Sequence, residues 1–540
     1  MKVGKEVIVF VFLFFCFISS FSQIWPKTYF PYEGTFPLSV TECYDKGYLI
    51  GGWYINSAGQ SKNGLLLKTD LNGEILWYKM LGEINDGTGV RDVNLTNDNG
   101  FIISGYTKRT DGWGDPFIMK LNYCGEKEWC RIFNIGQNRY DDAISIHQIP
   151  GGYIVYVFEA FPQYSNTKTH LFRVDNNGYL VWQQTYCQND TLMNGGEGYK
   201  MTVTPDYHFL IDGFCYYPDS GTIGPRYLRP LIIKVDSAGN ADWQLPWRYV
   251  SGQHFYGTSS WSIVDNQHTI YSCGRHIEDN ASPPGDRPTM LKTDYSGNEI
   301  SFHDMVPNSW QAVFSTINWF ADSTIALGGG WLFSYNDRHE GVFKVDRSGS
   351  ILASVDLYSS IYTFSDATTT FDNKLLLVSG QNNGSKFTIY AWKLNSDLEY
   401  DTLYTHPYVY DSLCPNPIAS DTIPLDCLIV GMDEPFKNPE TGKLKVYPNP
   451  ARDMLHIVIP EQLKTENQNP FFNLSTVYHL WHSAILEIYD LFGKKMFSKE
   501  VIQSEKEIAV DVSLWSGGMY VVRLVYNGQT VSNTKIIIEP

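Results

Sequence analysis

A short pattern recurs seven times and limits what this chain can fold into. In its first copy, Lys68-Thr69-Asp70-Leu71-Asn72-Gly73-Glu74-Ile75-Leu76-Trp77, a basic residue ends a strand, a polar turn with glycine follows, and a second strand carries tryptophan. The basic residues are Lys68, Lys120, Arg173, Lys234, Lys292, Lys344 and Lys393, spaced 49 to 61 residues apart. Each has Asp or Asn two positions on. Glycine follows three later in the first six copies, from Gly73 to Gly349, and Leu398 replaces it in the seventh. Tryptophan sits four after the glycine as Trp77, Trp129, Trp182 and Trp243, and is lost from the last three copies.

A second turn signal precedes each motif by about 22 residues, as in Asp45-Lys46-Gly47 and Asp98-Asn99-Gly100. Glycine tolerates positive φ, and Asp or Asn bonds its own backbone, so both signals predict tight turns. Each unit then reads as four strands, A to D, with the upstream turn signal between A and B and the Asp-x-x-Gly motif between C and D. Four strands at a period near 50 predict a β-propeller, and seven copies predict seven blades. Strand C is apolar on both sides of the basic residue, as a strand sandwiched between sheets requires. The tryptophans are expected to fill the wedges between blades.

The repeat resembles the tryptophan-docking repeats of quinoprotein-type propellers, with a turn one residue shorter. It is less similar to the aspartate box of sialidases, where the Asp-to-Gly spacing is one residue less. Both motifs are structural in their own families. Neither implies a quinone or sialidase activity, and no cofactor or metal site is expected. Lys68, Asp70, Gly73 and the four tryptophans are accordingly read as structural.

The expected organisation is all-β: a signal peptide over 1–22, a seven-bladed propeller over 24–406, a proline-rich linker over 407–440 and a small C-terminal β-sandwich over 441–540. Lys2 and Lys5 precede the apolar run Val7 to Ile18, and Ser20-Phe21-Ser22 predicts cleavage before Gln23. The run is too short to span a bilayer, and no transmembrane anchor is expected. Nine cysteines in an exported chain permit disulfides. Cys414 and Cys427 flank the prolines and are expected to pair with each other. Cys124 and Cys130 flank one hairpin and offer a second local pair.

The C-terminal region carries Tyr447-Pro448-Asn449-Pro450, then Tyr489-Asp490 with Gly493-Lys494, then Leu514-Trp515-Ser516-Gly517-Gly518-Met519-Tyr520, and last Lys535-Ile536-Ile537-Ile538. In that order they resemble the type A-like C-terminal sorting domain of type IX secretion cargo in the Bacteroidota. The resemblance implies passage through the periplasm and outer membrane, recognition by the type IX machinery, removal of the domain by its sortase, and a secreted or cell-surface product. Residues 461–483 read as an insertion. Asp401-Thr402-Leu403, Asp411-Ser412-Leu413 and Asp421-Thr422-Ile423, with Asp190-Thr191-Leu192, resemble the O-glycosylation acceptor pattern of that phylum.

A net charge of −17 repels phosphate backbones, so nucleic acid is not an expected partner. No Gly-x-Ser-x-Gly, His-Glu-x-x-His or phosphate loop is present, and His479 and His482 lack further ligands. In a four-stranded meander the A–B and C–D turns share one face, while the B–C loops share the other. The length variation lies in the B–C loops, so ligand binding is expected there. The candidates are Trp53, Tyr106, Arg109, Trp113, Tyr164, Tyr217, Arg226, Arg275, Trp331 and Arg338, with Tyr54, Tyr216 and Tyr335 beside them. Aromatics interleaved with arginines suit a glycan or protein ligand. The alternative is a polysaccharide-degrading hydrolase or lyase on the same face.

Overall fold

The computed structural model describes residues 25–539 other than 31–33, 56–61, 83–86, 109–113, 136–139, 161–166, 188–192, 194–197, 219–224, 248, 251–252, 279–284, 321, 359–363, 384–385, 432–444, 459–483, 491–494, 502–505 and 527–528. The signal peptide and the insertion therefore lie outside the described residues, as do Arg109, Trp113, Tyr164 and the Asp190 triplet.

The fold is a seven-bladed β-propeller followed by a β-sandwich. Each blade is a four-stranded antiparallel meander. Blade 1 runs Gly34–Glu42, Tyr48–Ile55, Lys62–Thr69 and Ile75–Leu81, and blades 2 to 6 repeat the order. Clusters of fully buried side chains fill the wedges between blades, such as Leu66, Trp77, Val90, Ile103 and Met119 between blades 1 and 2.

The repeated turns serve two ends. In the C–D turn, Asp70 Oδ1 accepts from the amides of Asn72 (2.8 Å) and Glu74 (2.7 Å), and Gly73 adopts φ +78°. Strand D then presents its tryptophan to the turn glycine of the next blade. A Cβ on Gly125 would stand 3.1 Å from Trp77, on Gly178 2.6 Å from Trp129, and on Gly239 3.0 Å from Trp182. The glycine thus meets a positive φ and a close ring at once. The basic residue does not bind this turn's Asp. In four blades it reaches the A–B turn of its own blade: Lys68–Asp45 (2.7 Å), Lys120–Asp98 (2.9 Å), Lys344–Asp322 (2.8 Å) and Lys393–Asp372 (3.1 Å), whereas Lys234 pairs with Asp242 of its own strand D and Lys292 donates to the Arg347 carbonyl of blade 6 (3.1 Å). Blade 3 has Pro150 and glycines at its A–B turn, and Arg173 donates to the Pro150 carbonyl instead (2.7 Å).

The ring closes through the N-terminus. Blade 7 takes Asp366–Thr369, Leu375–Asn383 and Lys386–Leu394 from its own repeat, and its outer strand is Lys27–Tyr29. Continuing the register Lys27↔Ala391 places Trp25 opposite Lys393, as Trp77 lies opposite Lys68. A Cβ on Gly73 would meet Trp25 at 2.8 Å. Tyr29 donates to the Gly73 carbonyl (2.9 Å), as Tyr186 does to that of Gly239 (3.0 Å). The docking tryptophan of blade 7 therefore exists, and it precedes the first repeat.

The proline-rich stretch packs on the propeller up to residue 431. Asp421–Ile423 adds a parallel strand to the outer edge of blade 1, and Leu428–Gly431 adds one to blade 2. The disulfides join this strap to blade 2, as Cys124–Cys414 and Cys130–Cys427. This corrects the expected Cys414–Cys427 and Cys124–Cys130 pairs. The strap runs back across blades 1 and 2, so each cysteine faces a blade rather than its sequence neighbour. The acids of the three acceptor-like triplets are anchors: Asp401 to Lys393 (3.0 Å), Asp411 to Lys68 (3.0 Å) and Asp421 to Lys79 (2.6 Å). Thr402, Ser412 and Thr422 beside them are exposed.

The C-terminal unit packs two sheets. One holds Lys445–Tyr447, Met454–Val458 and Glu507–Asp511. The other runs in the order Lys495–Val501, Ala484–Asp490, Gly518–Tyr526, Gln529–Ile538. Alternate residues of both, including Leu455, Ile457, Ile488, Val510, Val522 and Ile536, form its buried core. Asn449 of the Tyr-Pro-Asn-Pro motif holds the last strand, accepting from the Ile537 amide (2.9 Å) and donating to the Lys535 carbonyl (3.2 Å).

Candidate functional site

The A strands line the central channel. In blades 1 to 6 each carries a β-bulge at the same place, between Pro37/Ser39, Val90/Asp92, Ala143/Ser145, Gly198/Lys200, Ser259/Trp261 and Phe314/Thr316. A bulge leaves one residue unpaired and re-aims its neighbours. The backbone event is the same each time, but the residues that follow it are Ser39, Asp92, Ser145, Lys200, Trp261 and Thr316.

Charged groups from three non-adjacent blades meet here. Lys200 of blade 4 lies 3.1 Å from Asp366 of blade 7 and 3.8 Å from Asp92 of blade 2. Blades that are not neighbours can touch only through the channel, so these pairs cross it. Asp92 also accepts from Ser39 (2.9 Å), Ser145 (2.8 Å) and the Ile146 amide (3.0 Å), and Asp366 from the Val40 amide (2.9 Å). Burial opposes the charge on Lys200, but Asp366 and Asp92 outweigh it and hold its pKa above the ordinary lysine value. Burial likewise opposes ionisation of Asp92, yet Lys200, His147 and the donors bring it below the usual carboxylate range. In Asp366 burial prevails and its pKa is raised.

Beside this bridge lies a half-open cavity of about 390 Å³, within the size range of small-ligand sites. Its walls are Tyr199, Lys200, Thr258, Ser260, Trp261, Arg275, Val313, Ser315, Ser365 and Asp366, from blades 4 to 7. Most lie near the start of strand A, which places the cavity at the B–C loop end of the channel. Trp261 donates to Thr202 (3.1 Å), and Lys200 sits 4.8 Å over its ring. Arg275 pairs with Asp286 (3.1 Å).

Of the residues expected at a ligand face, Arg275 lines this cavity. Trp53 stacks on Phe36 (5.4 Å), which also meets Phe387 (5.3 Å), so it packs the seam between blades 1 and 7. Tyr106 is buried against Tyr140 and Arg91. Trp331 is buried and stacks on His339 (5.9 Å), and Tyr217 packs on the core between blades 3 and 4. Arg338 stacks on the exposed Tyr335 (4.3 Å), and Arg226 is exposed at a hairpin end. These side chains are spread around the rim and do not converge. Lys200, Asp366, Asp92 and Trp261 are absent from the expected set. Their signal is a charge or large ring in strand A, where the equivalent position in blades 1, 3 and 6 is Ser or Thr. Among the described residues no group of three His, Cys, Asp or Glu is placed to hold a metal ion.

Residues 445–539 match the family model described as "Secretion system C-terminal sorting domain". The chain thus ends in a type IX sorting domain, which directs it to the cell surface or the medium through that machinery. Among the described residues no helix is long and apolar enough to cross a membrane. No curated protein matches the chain. Solved structures similar to it include an ulvan lyase bound to -[GlcA(1-4)Rha3S]- (10% identity, 69% of this chain and 96% of that one, TM-score 0.44). A protein of unknown function from Dyadobacter fermentans is 11% identical, with 67% and 94% covered and TM-score 0.36. The WD40 domain of Toxoplasma gondii coronin is 10% identical, with 72% and 88% covered and TM-score 0.37.

Proposed function

We propose that the exported propeller is a binding protein for a glycan or protein ligand, and that its site is the cavity at the loop end of the channel. The observation that carries this reading is the state of the charges there. A glycosidase needs two carboxyl groups facing each other across about 5 to 9.5 Å, one of them free to give or take a proton. Among the described residues Asp366 is the one carboxylate lining the cavity, and Lys200 and the Val40 amide already engage it. Tyr199, Trp261 and several hydroxyls remain to hold a ligand without reacting with it. The sorting domain would be removed by its sortase, leaving the propeller on the surface or released.

The test is a glycan array together with a polysaccharide digestion screen, using the full chain. The expected result is binding without turnover. Cleavage of any polysaccharide would replace the binding reading with the enzyme one. Deletion of residues 441–540 should leave the protein in the periplasm, and surface display after that deletion would remove the role given to the domain.

A further inference from the structure

Every charged group that lines the cavity already has a partner within the protein. Lys200 is shared by Asp366 and Asp92, and Arg275 pairs with Asp286. An anionic ligand would have to draw Lys200 or Arg275 from its carboxylate and leave that group buried and uncompensated, which is costly. The hydroxyls are in the opposite state. Thr258 and Ser260 are 3% and 7% exposed, and both line the cavity with Ser365. Among the described residues none of the three hydroxyls bonds to another group of the protein. Hydroxyls that line a cavity without a protein partner suit a ligand that both donates and accepts hydrogen bonds. Tyr199, 40% exposed, and Trp261 add flat apolar wall beside them.

The cavity also has a floor. The Asp92–Lys200–Asp366 bridge joins blades 2, 4 and 7 across the channel, so a chain entering from the loop face cannot pass through at that level. We infer, building on the binding role above, that the site takes the terminal residue of an uncharged glycan, inserted end-on, with its hydroxyls on Thr258, Ser260 and Ser365. The charge bridge then acts as a stop that limits the site to chain ends.

The probes are arrayed neutral, uronate-containing and sulfated oligosaccharides, read with the full chain. Any neutral oligosaccharide that binds is then titrated as a length series and as its cyclic or end-blocked form. The expected result is neutral ligands only, with affinity per molecule flat beyond about three residues and lost when the ends are removed, as end-on insertion requires. Thr258→Val and Ser260→Ala should each weaken binding roughly ten-fold through one lost hydrogen bond, with an unchanged unfolding midpoint. Preference for uronate or sulfated glycans would overturn the uncharged class. Affinity rising with each added residue, or cyclic forms binding equally, would overturn end-on insertion while leaving glycan binding intact. Loss of binding in Tyr335→Ala but in neither cavity variant would move the site to the rim and overturn the inference. Capture of a protein ligand with no glycan bound would overturn it and leave the binding role standing, whereas turnover would remove that role as well.

Discussion

The turn face and the channel wall of this propeller repeat in different ways. At the turn face the residues themselves recur: an Asp or Asn that closes the turn, a glycine at positive φ and a ring docked on it. At the channel wall the backbone recurs and the residues do not. Six A strands bulge at one register, yet present Ser39, Asp92, Ser145, Lys200, Trp261 and Thr316. A feature that every blade needs in order to pack is nearly constant, with the Asp or Asn present seven times and the glycine six. A position that blade packing does not fix is free to differ from blade to blade on a fixed backbone. The turn face therefore reports stability, and the channel wall carries the variation on which the proposed binding role rests.

Substitutions can break that contrast, beginning with the ring seam. Trp25→Ala removes a ring that is 1% exposed and is the sole docking tryptophan of blade 7, so it should cost about 4 kcal/mol or more. Trp182→Ala, at a half-buried ring inside the array, should cost clearly less. Equal values in denaturant unfolding would show that the seam is no more critical than any other blade junction. Next, Cys414→Ser opens one of two bridges between strap and blade 2 and should lower stability by about 3 kcal/mol, and reduction should lower the melting temperature further. A melting temperature indifferent to reductant would mean that the strap contributes nothing. Lys200→Met strands two buried carboxylates and should also cost about 3 kcal/mol, most of it recovered on adding Asp366→Asn. Additive losses in that double variant would deny the bridge.

Two smaller effects depend on pH. Burial raises Glu340 to about 8, with Gln381 and Ser379 only partly offsetting it. Between its ordinary value near 4.5 and about 8 the folded state keeps a proton that the unfolded chain releases. Stability should therefore fall as pH rises through that window, by on the order of a few kcal/mol, and Glu340→Gln should flatten the profile. At the turn face the sign reverses. Burial mildly opposes ionisation of Asp322, but Lys344 and Thr324 bring it down to about 2. Its contribution is present above the ordinary carboxylate value and is lost as pH falls toward 2. With the Asp322 side chain 47% exposed, Asp322→Asn should cost under about 1 kcal/mol.

Much of the fold is legible in the chain because a blade is local: its four strands, their turns and the residues that dock it lie within about 50 residues. The seam is not local. Lys27–Tyr29 pairs with a strand some 360 residues later, yet Trp25 and Tyr29 keep the four-residue spacing of Trp182 and Tyr186 that could have revealed it. The disulfides are not local either, because closeness in sequence is a poor guide where a segment doubles back over a finished surface. The loop aromatics have the chemistry of a ligand face, but Trp53, Tyr106 and Trp331 pack seams and cores.

The seven blades, the residues that lock their turns, and the sorting domain with the route it prescribes are all legible in the chain. These are written in short-range patterns, where backbone geometry leaves few residues to choose from. How the ring closes, which cysteines pair, and the meeting of Asp92, Lys200 and Asp366, 108 and 166 residues apart along the chain, across one channel emerge only on folding. Closing the ring is what brings distant inner strands to a common axis, and no local pattern records which side chains will face each other there.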